Sequence, residues 1–177
     1  MKSILSAVCF IALGSISVLA QRKAAPAPAM TDQQFVDFAA QTDMVEANLG
    51  QLAQTVASSQ AVKDYGQMLV TDHTNDFNQL NDVAHQAGLN APNAIDAEHN
   101  KKMIDPFQKL KGTAFDRRYV REMIAGHAHA LAVYKKEAAD AENPALKTYA
   151  EQAVPVLEKH LAGAKGLAKS KPSAKAK

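Results

Sequence analysis

Four long stretches of this chain place apolar residues at the three- and four-residue spacing of a helix face, and nothing in it alternates as a strand would. A chain patterned in this way can bury its striped faces only by packing helix on helix. The first stretch opens on Thr31-Asp32-Gln33-Gln34, a capping box in which Thr31 caps and Gln34 reaches back, and it carries Phe35, Phe38, Val45, Leu49 and Leu52. Ser58-Ser59 breaks it and caps the second, which runs through Val62, Leu69, Phe77 and Leu80 to a stop at Gly88. Gly112-Thr113 announces the third, with Asp116 three residues after the Thr113 cap and Tyr119, Met123, Leu131 and Tyr134 along its stripe. Asn143-Pro144 starts the fourth, a cap followed by proline at the first helical position, and Pro155 inside it predicts a kink.

Residues 88–112 join the second stretch to the third, with the pattern of a short helix near Asp96–Ile104. A connection of that length can run the full height of a bundle. The expected fold is therefore all-α: a ferritin-like four-helix bundle with a long crossover, containing a short helix, between helices 2 and 3. A simple up-down bundle is the alternative.

The ends of the chain read differently from its middle. Met1-Lys2 precede an apolar run from Ile4 to Leu19, with small Val18 and Ala20 at the positions a signal peptidase reads, so residues 1–20 are expected to be a secretory signal. The rival is an uncleaved membrane anchor, which Arg22 and Lys23 keep open. Residues 21–30 then form a Pro/Ala spacer, residues 31–168 the bundle domain, and residues 169–177 a lysine-rich tail of disordered character. The expected location is outside the cytoplasm, in the periplasm or cell envelope. Cys9, the one cysteine, lies inside the signal, and its removal takes disulfide, thiolate and Cys-type metal chemistry with it.

Charge narrows the partners. The chain has 20 Lys and Arg against 18 Asp and Glu; without Lys2 and the five lysines from Lys165 to Lys177, 14 remain against 18. An acidic body with a basic tail is not the footprint of a nucleic-acid binder. It leaves the tail a weak, salt-screened contact with anionic envelope surfaces.

Each stripe is interrupted near its middle by one residue of ligand type: Glu46, His73, His127 and His160. Glu46 lies 13 residues before Ser59 and His73 lies 14 after it, while His127 lies 16 before Asn143 and His160 lies 17 after it. At about 1.5 Å of rise per residue, each pair falls at one height, so all four can meet in one layer of the core. Buried ionisable groups must find partners. Two arrangements supply them: a single metal ion of zinc, copper or iron type, which imidazoles and a carboxylate suit, or a metal-free network in which the carboxylate pairs with the imidazoles, supported by Tyr119, Tyr134 or Asp72. His129 points to another face, and His85 and His99 fall near the crossover. The Glu-x-x-His pairs of di-iron oxidases are missing, since Val70 and Leu157 stand three residues before His73 and His160. No nucleophile, phosphate-loop or dinucleotide signature is present either, so an enzyme is not the expectation.

Residues 32–168 resemble the bacterial exported family known as domain of unknown function 4142. The resemblance rests on Glu46-Ala47-Asn48-Leu49-Gly50-Gln51-Leu52-Ala53, on Val62-Lys63-Asp64-Tyr65-Gly66-Gln67-Met68-Leu69-Val70-Thr71-Asp72-His73, on Asp96-Ala97-Glu98-His99, on Phe115-Asp116-Arg117-Arg118-Tyr119, and on His127, Pro155 and Leu157-Glu158-Lys159-His160. It departs at Asn48, where members often carry a second glutamate. The resemblance implies a ferritin-like fold and an exported location, and it carries no activity with it. Two functional expectations follow: an exported bundle protein that binds a metal ion in its core, or a structural or stress-related envelope protein with a buried His/Glu network.

Overall fold

A computed structural model describes residues 30–170. The expected signal, the spacer apart from Met30, and the tail beyond Ser170 lie outside the described residues. Among those residues all regular structure is helical: α1 (Asp32–Val56), α2 (Gln60–Gln86), α3 (Ala97–His99), α4 (Gly112–Asp140) and α5 (Pro144–Lys169). The short α3 continues into a π-helical turn, Asn100–Ile104, and a tighter turn, Asp105–Phe107.

Several ends form as local chemistry dictates. Thr31 Oγ1 accepts from the Gln34 amide at 3.2 Å while Gln34 Oε1 accepts from the Thr31 amide at 2.9 Å. Asn143 Oδ1 accepts from the Ala145 amide at 2.9 Å, with Pro144 opening α5. Gly88 closes α2 with a φ of 73°, a left-handed value that glycine adopts without a side-chain clash, and Leu89 N–H reaches back to the Ala84 carbonyl at 2.8 Å. The helix α5 runs on across Pro155.

Two expected side-chain caps do not form, and one of them, at α2, is replaced by a long-range contact. Ser59 sits at the N-cap of α2 without a side-chain cap bond, and α4 begins at Gly112, after Lys111, so Thr113 does not cap it. Asp116 leaves its own helix instead and accepts from Ser58 N at 3.0 Å, Ser58 Oγ at 2.6 Å and Ser59 N at 3.0 Å. A carboxylate there offsets the positive end of α2. It also ties the α1–α2 turn to the start of α4.

The core is split into two apolar clusters. One gathers Val45, Leu49 and Ala53 of α1, Val62, Tyr65 and Leu69 of α2, Phe115, Tyr119 and Met123 of α4, and Ala164 of α5, with Ile104 and Phe107 beneath. The other gathers Phe35 and Ala39 of α1, Leu80 and Ala84 of α2, Ala130 and Tyr134 of α4, and Leu146, Tyr149 and Leu157 of α5. The end of α1 therefore shares a cluster with the starts of α2 and α4 and the end of α5. So α1 runs against α2 and α4, α2 runs against α5, and α2 and α4 point the same way.

That sense requires the connection to traverse the molecule. Leu89 and Ala91 pack on the second cluster, whereas Ile95, Met103 and Leu110 pack on the first. Gln41 of α1 pins the middle of the strap, donating to the Ala94 carbonyl at 3.0 Å and accepting from the Asp96 amide at 3.1 Å. The helices α1 and α2 approach closely at a glycine pair: a Cβ on Gly66 would lie 2.8 Å from the Gly50 carbonyl oxygen. No helix among the described residues is long and apolar enough to cross a membrane.

Two substitutions test this account. Asp116→Ala should destabilise the fold by about 1–2 kcal/mol in denaturant titrations, the cost of a lost cap, while Thr113→Ala stays within about 0.5 kcal/mol. Gly66→Ala should cost about 1–3 kcal/mol, because the new methyl meets backbone that cannot yield without parting α1 from α2. Equal stability of Asp116→Ala and the unsubstituted chain would refute the cross-helix cap.

Candidate metal centre

Between the two apolar clusters lies a polar layer, and it sits where the helical rise puts it. On α2 it falls between Leu69 and Leu80, on α4 between Met123 and Ala130, and on α5 between Leu157 and Ala164. His73, His127 and His160 supply it, exposed by only 3%, 1% and 1%. Their ring centroids lie 5.2–5.8 Å apart. One ligand atom from each lies within 4.8 Å of the others.

Each ring is held from outside by an acceptor. His127 Nδ1 donates to the Met123 carbonyl, one turn back, at 2.8 Å. His73 Nδ1 faces Asp43 Oδ1 at 2.8 Å, and His160 Nε2 faces Asp72 Oδ2 at 2.9 Å. An acceptor on the outer nitrogen draws the single proton of a neutral imidazole there and leaves a lone pair on the inner one. The inner atoms are His73 Nε2, His127 Nε2 and His160 Nδ1, all buried and without a hydrogen-bond partner. Buried polar atoms left unmatched are costly. An arrangement of this kind is satisfied by a cation at its centre.

Glu46 is buried beside the trio without belonging to it. Its Oε1 lies 3.7 Å from His127 Nδ1, the outer nitrogen, and its Oε2 has no partner. The approach is allowed by Gly126, where a Cβ would stand 3.2 Å from Glu46 Oε1. Of the groups expected to support the layer, Asp72 does so directly. The Tyr134 hydroxyl instead meets that of Tyr149 at 3.2 Å, and the Tyr119 hydroxyl is buried without a partner. Asn48, where the resemblance departs, is exposed. His129 is exposed and packs edge-on against Phe38, and His99 bonds Asp96 at 2.9 Å.

Asp43 and Asp76 were not legible as site residues. Helical spacing from Phe38 to Val45 points Thr42 at the core, yet its neighbour Asp43 is buried and Thr42 only half so. Its spacing of three from Glu46, one helical turn, was the available signal. Asp76 accepts from the Tyr149 hydroxyl at 2.9 Å and lies near enough to Asp43 to raise its proton affinity.

Burial sets the protonation of the layer. It lifts the Asp43 carboxyl to about 7, against the pull of His73. Burial pushes His73 down, but the bond to Asp43, the Asp43 charge and the nearby Glu46 and Asp76 outweigh it and leave His73 above the ordinary histidine value. The metal-free Asp43–His73 pair thus favours an added proton, which leaves a hydrogen on His73 Nε2 and which a bound cation would displace. Burial drives His160 down to about 4, with Asp72 pulling the other way and the two neighbouring imidazoles adding to the fall. His160 is therefore neutral, and able to ligate, throughout the near-neutral range.

A pH experiment on metal-free protein follows. The folded chain protonates His160 only near 4, whereas an unfolded chain does so near 6.5, so His160 costs stability as the pH falls through that window. Asp43, raised from 3.8 to about 7, has the opposite sign and stabilises the fold over a similar window. Comparison with His160→Gln isolates the first contribution. The unsubstituted chain should lose stability relative to the variant between pH 6.5 and 4, and parallel profiles would show that His160 is not held neutral.

Known proteins share this architecture. The fold is similar to that of CopM in its silver-bound form, at a TM-score of 0.63 and 17% identity, over 77% of this chain and 94% of that one. The Cu(I)-bound form of CopM gives 0.60 and 16%, over 77% and 94%. A DUF305 fragment from Deinococcus radiodurans gives 0.66 and 19%, over 81% of this chain and all of the other. At these identities the likeness speaks for the fold alone. No curated protein matches the chain in sequence. The family described as Domain of unknown function (DUF4142) matches residues 18–167, nearly the whole length, and the chain belongs to that family.

Proposed function

We propose that the protein is an exported, periplasmic ferritin-like four-helix bundle that binds one metal ion through His73, His127 and His160. The observation that carries this reading is a trio of buried imidazoles, with one ligand atom of each within 4.8 Å of the others and one nitrogen of each ring left without a partner. Their outer acceptors supply what a metal-binding imidazole needs: a fixed tautomer and a firm ring orientation. The Glu46 and Asp72 carboxylates, joined by Asp43 once a bound ion displaces the proton it shares with His73, would offset the ion's own charge. The ion would be a Lewis acid held in place, and nothing in the layer adds a nucleophile or an acid–base pair of enzymatic type.

Copper heads the candidates, with zinc and iron behind it. Among first-row divalent ions a nitrogen site binds copper most tightly. The similar CopM structures hold copper or silver, which adds to the case. The apolar run and small residues at the N-terminus support export.

The metal-free network is the second reading, favoured by the hydrogen bond that each ring already makes on its outer side. Here the extra proton of the Asp43–His73 pair would leave a hydrogen on His73 Nε2.

Metal analysis separates the two. Mature protein equilibrated with copper, zinc or iron and then desalted should retain one copper per chain, and His73→Ala and His127→Ala should retain none. Copper should raise the melting temperature of the unsubstituted chain, because a ligand that binds only the folded state stabilises it. Glu46→Gln should weaken binding by about tenfold, as expected for a group that acts through a ligand. Equal metal content in all variants, or a melting temperature indifferent to metal and chelator, would sink the centre and leave the network.

A further inference from the structure

We infer that the metal ion reaches the imidazole trio through a cleft between α2 and α5, and that Asp72 at its mouth is the first landing site, with Asp76 lining the way inward. This rests on the reading of the trio as a metal centre. A cavity of about 20 Å³ is bounded by Asp72, His73 and Asp76 on α2 and by Val156, Leu157 and His160 on α5. That is room for one water or one small ion. The Asp72 side chain is 29% exposed, so the cleft meets solvent. Two of its bounding residues, His73 and His160, are nearly fully buried and carry unpartnered inner nitrogens. One small opening is thus bounded by two carboxylates, of which Asp72 reaches solvent, and by two rings of the trio.

The other directions offer a cation nothing comparable. Above and below the layer lie the two apolar clusters, and an ion crossing either would shed its water with no ligand in exchange. Toward α1 and α4, Glu46 is closed in against Gly126 and His127 is tied to the Met123 carbonyl. On the cleft side the relay is continuous. Asp72 Oδ2 already touches His160 Nε2 at 2.9 Å, so a cation held by Asp72 stands one ring away from the centre. A carboxylate at the mouth of a narrow, low-dielectric cleft concentrates cations there and speeds their capture.

Two neighbours tune the mouth. Lys159 Nζ stands 3.9 Å from Asp72 Oδ2 on a side chain that is 68% exposed, a mobile positive charge set against an arriving cation. Val156, 41% exposed, forms the α5 lip without packing into the core. Both can be altered without disturbing either the fold or the ligands.

The experiment measures stopped-flow uptake of Cu(II) and Zn(II), as ions in weakly coordinating buffer, and their release to a chelator. Val156→Trp should lower both the on-rate and the off-rate by about tenfold while leaving affinity unchanged, since a residue on the path touches neither end state. Lys159→Glu should raise the on-rate at low ionic strength, by about tenfold at most, and salt should erase the gain. Ala128→Trp, on the exposed face of α4 beside His127, should leave both rates as they are. Normal metal content with rates indifferent to Val156→Trp, or slowed as much by Ala128→Trp, overturns the route and spares the centre. Failure of the unsubstituted chain to take up metal overturns both.

Discussion

Everything in the middle of this molecule is organised by the problem of burying three imidazoles side by side. Each ring has two nitrogens and a neutral ring has one proton, so fixing the proton on one side determines what the other side presents. Here the Met123 carbonyl, Asp43 and Asp72 take the outer positions, and the other nitrogen of each ring is left buried without a partner. That outcome is poor for an empty core and well suited to a bound cation. The helices that deliver the rings are set by it as well, since His73, His127 and His160 come from three different helices that must hold the same level.

The two apolar clusters make the layer possible. They exclude water above and below, which raises the cost of unmatched polar atoms and strengthens every charge interaction between. The same burial that lifts Asp43 to about 7 lowers His160 to about 4, so a carboxyl retains its proton and an imidazole releases one within a single layer. The α1–α2 glycine contact and the Asp116 cap hold the helices at the spacing the layer requires. The strap through Gln41 closes the α1 side. The face between α2 and α5 is left as the place where a carboxylate meets both solvent and site.

Much of the fold was legible because its signals are local. A capping box needs residues a turn apart, so Thr31 and Gln34 can be read directly, as can Asn143-Pro144 and Gly88. The common height of Glu46, His73, His127 and His160 follows from counting, since helical rise is constant. Asp116 was misread for the opposite reason: it stands where a local cap should be, but the contact it makes crosses to a turn more than fifty residues away in the chain. Asp43 escaped because a drift of one position along a long helix changes which residue faces inward.

The sequence by itself determined that the body is helical, how many long helices it has and about where each lies, and which helices carry a histidine at mid-height. These follow from periodicity, caps and rise, all short-range properties of the backbone. Only the tertiary structure decided which nitrogen of each histidine is left without a partner, that Glu46 stands behind His127 and outside the trio, and that Asp72 opens the layer to solvent. The physical reason is that ring orientation depends on an acceptor supplied either by the ring's own preceding turn or by another helix, and a linear pattern does not state which. For His73 the choice fell to Asp43 on α1, and for His127 to the carbonyl one turn before it.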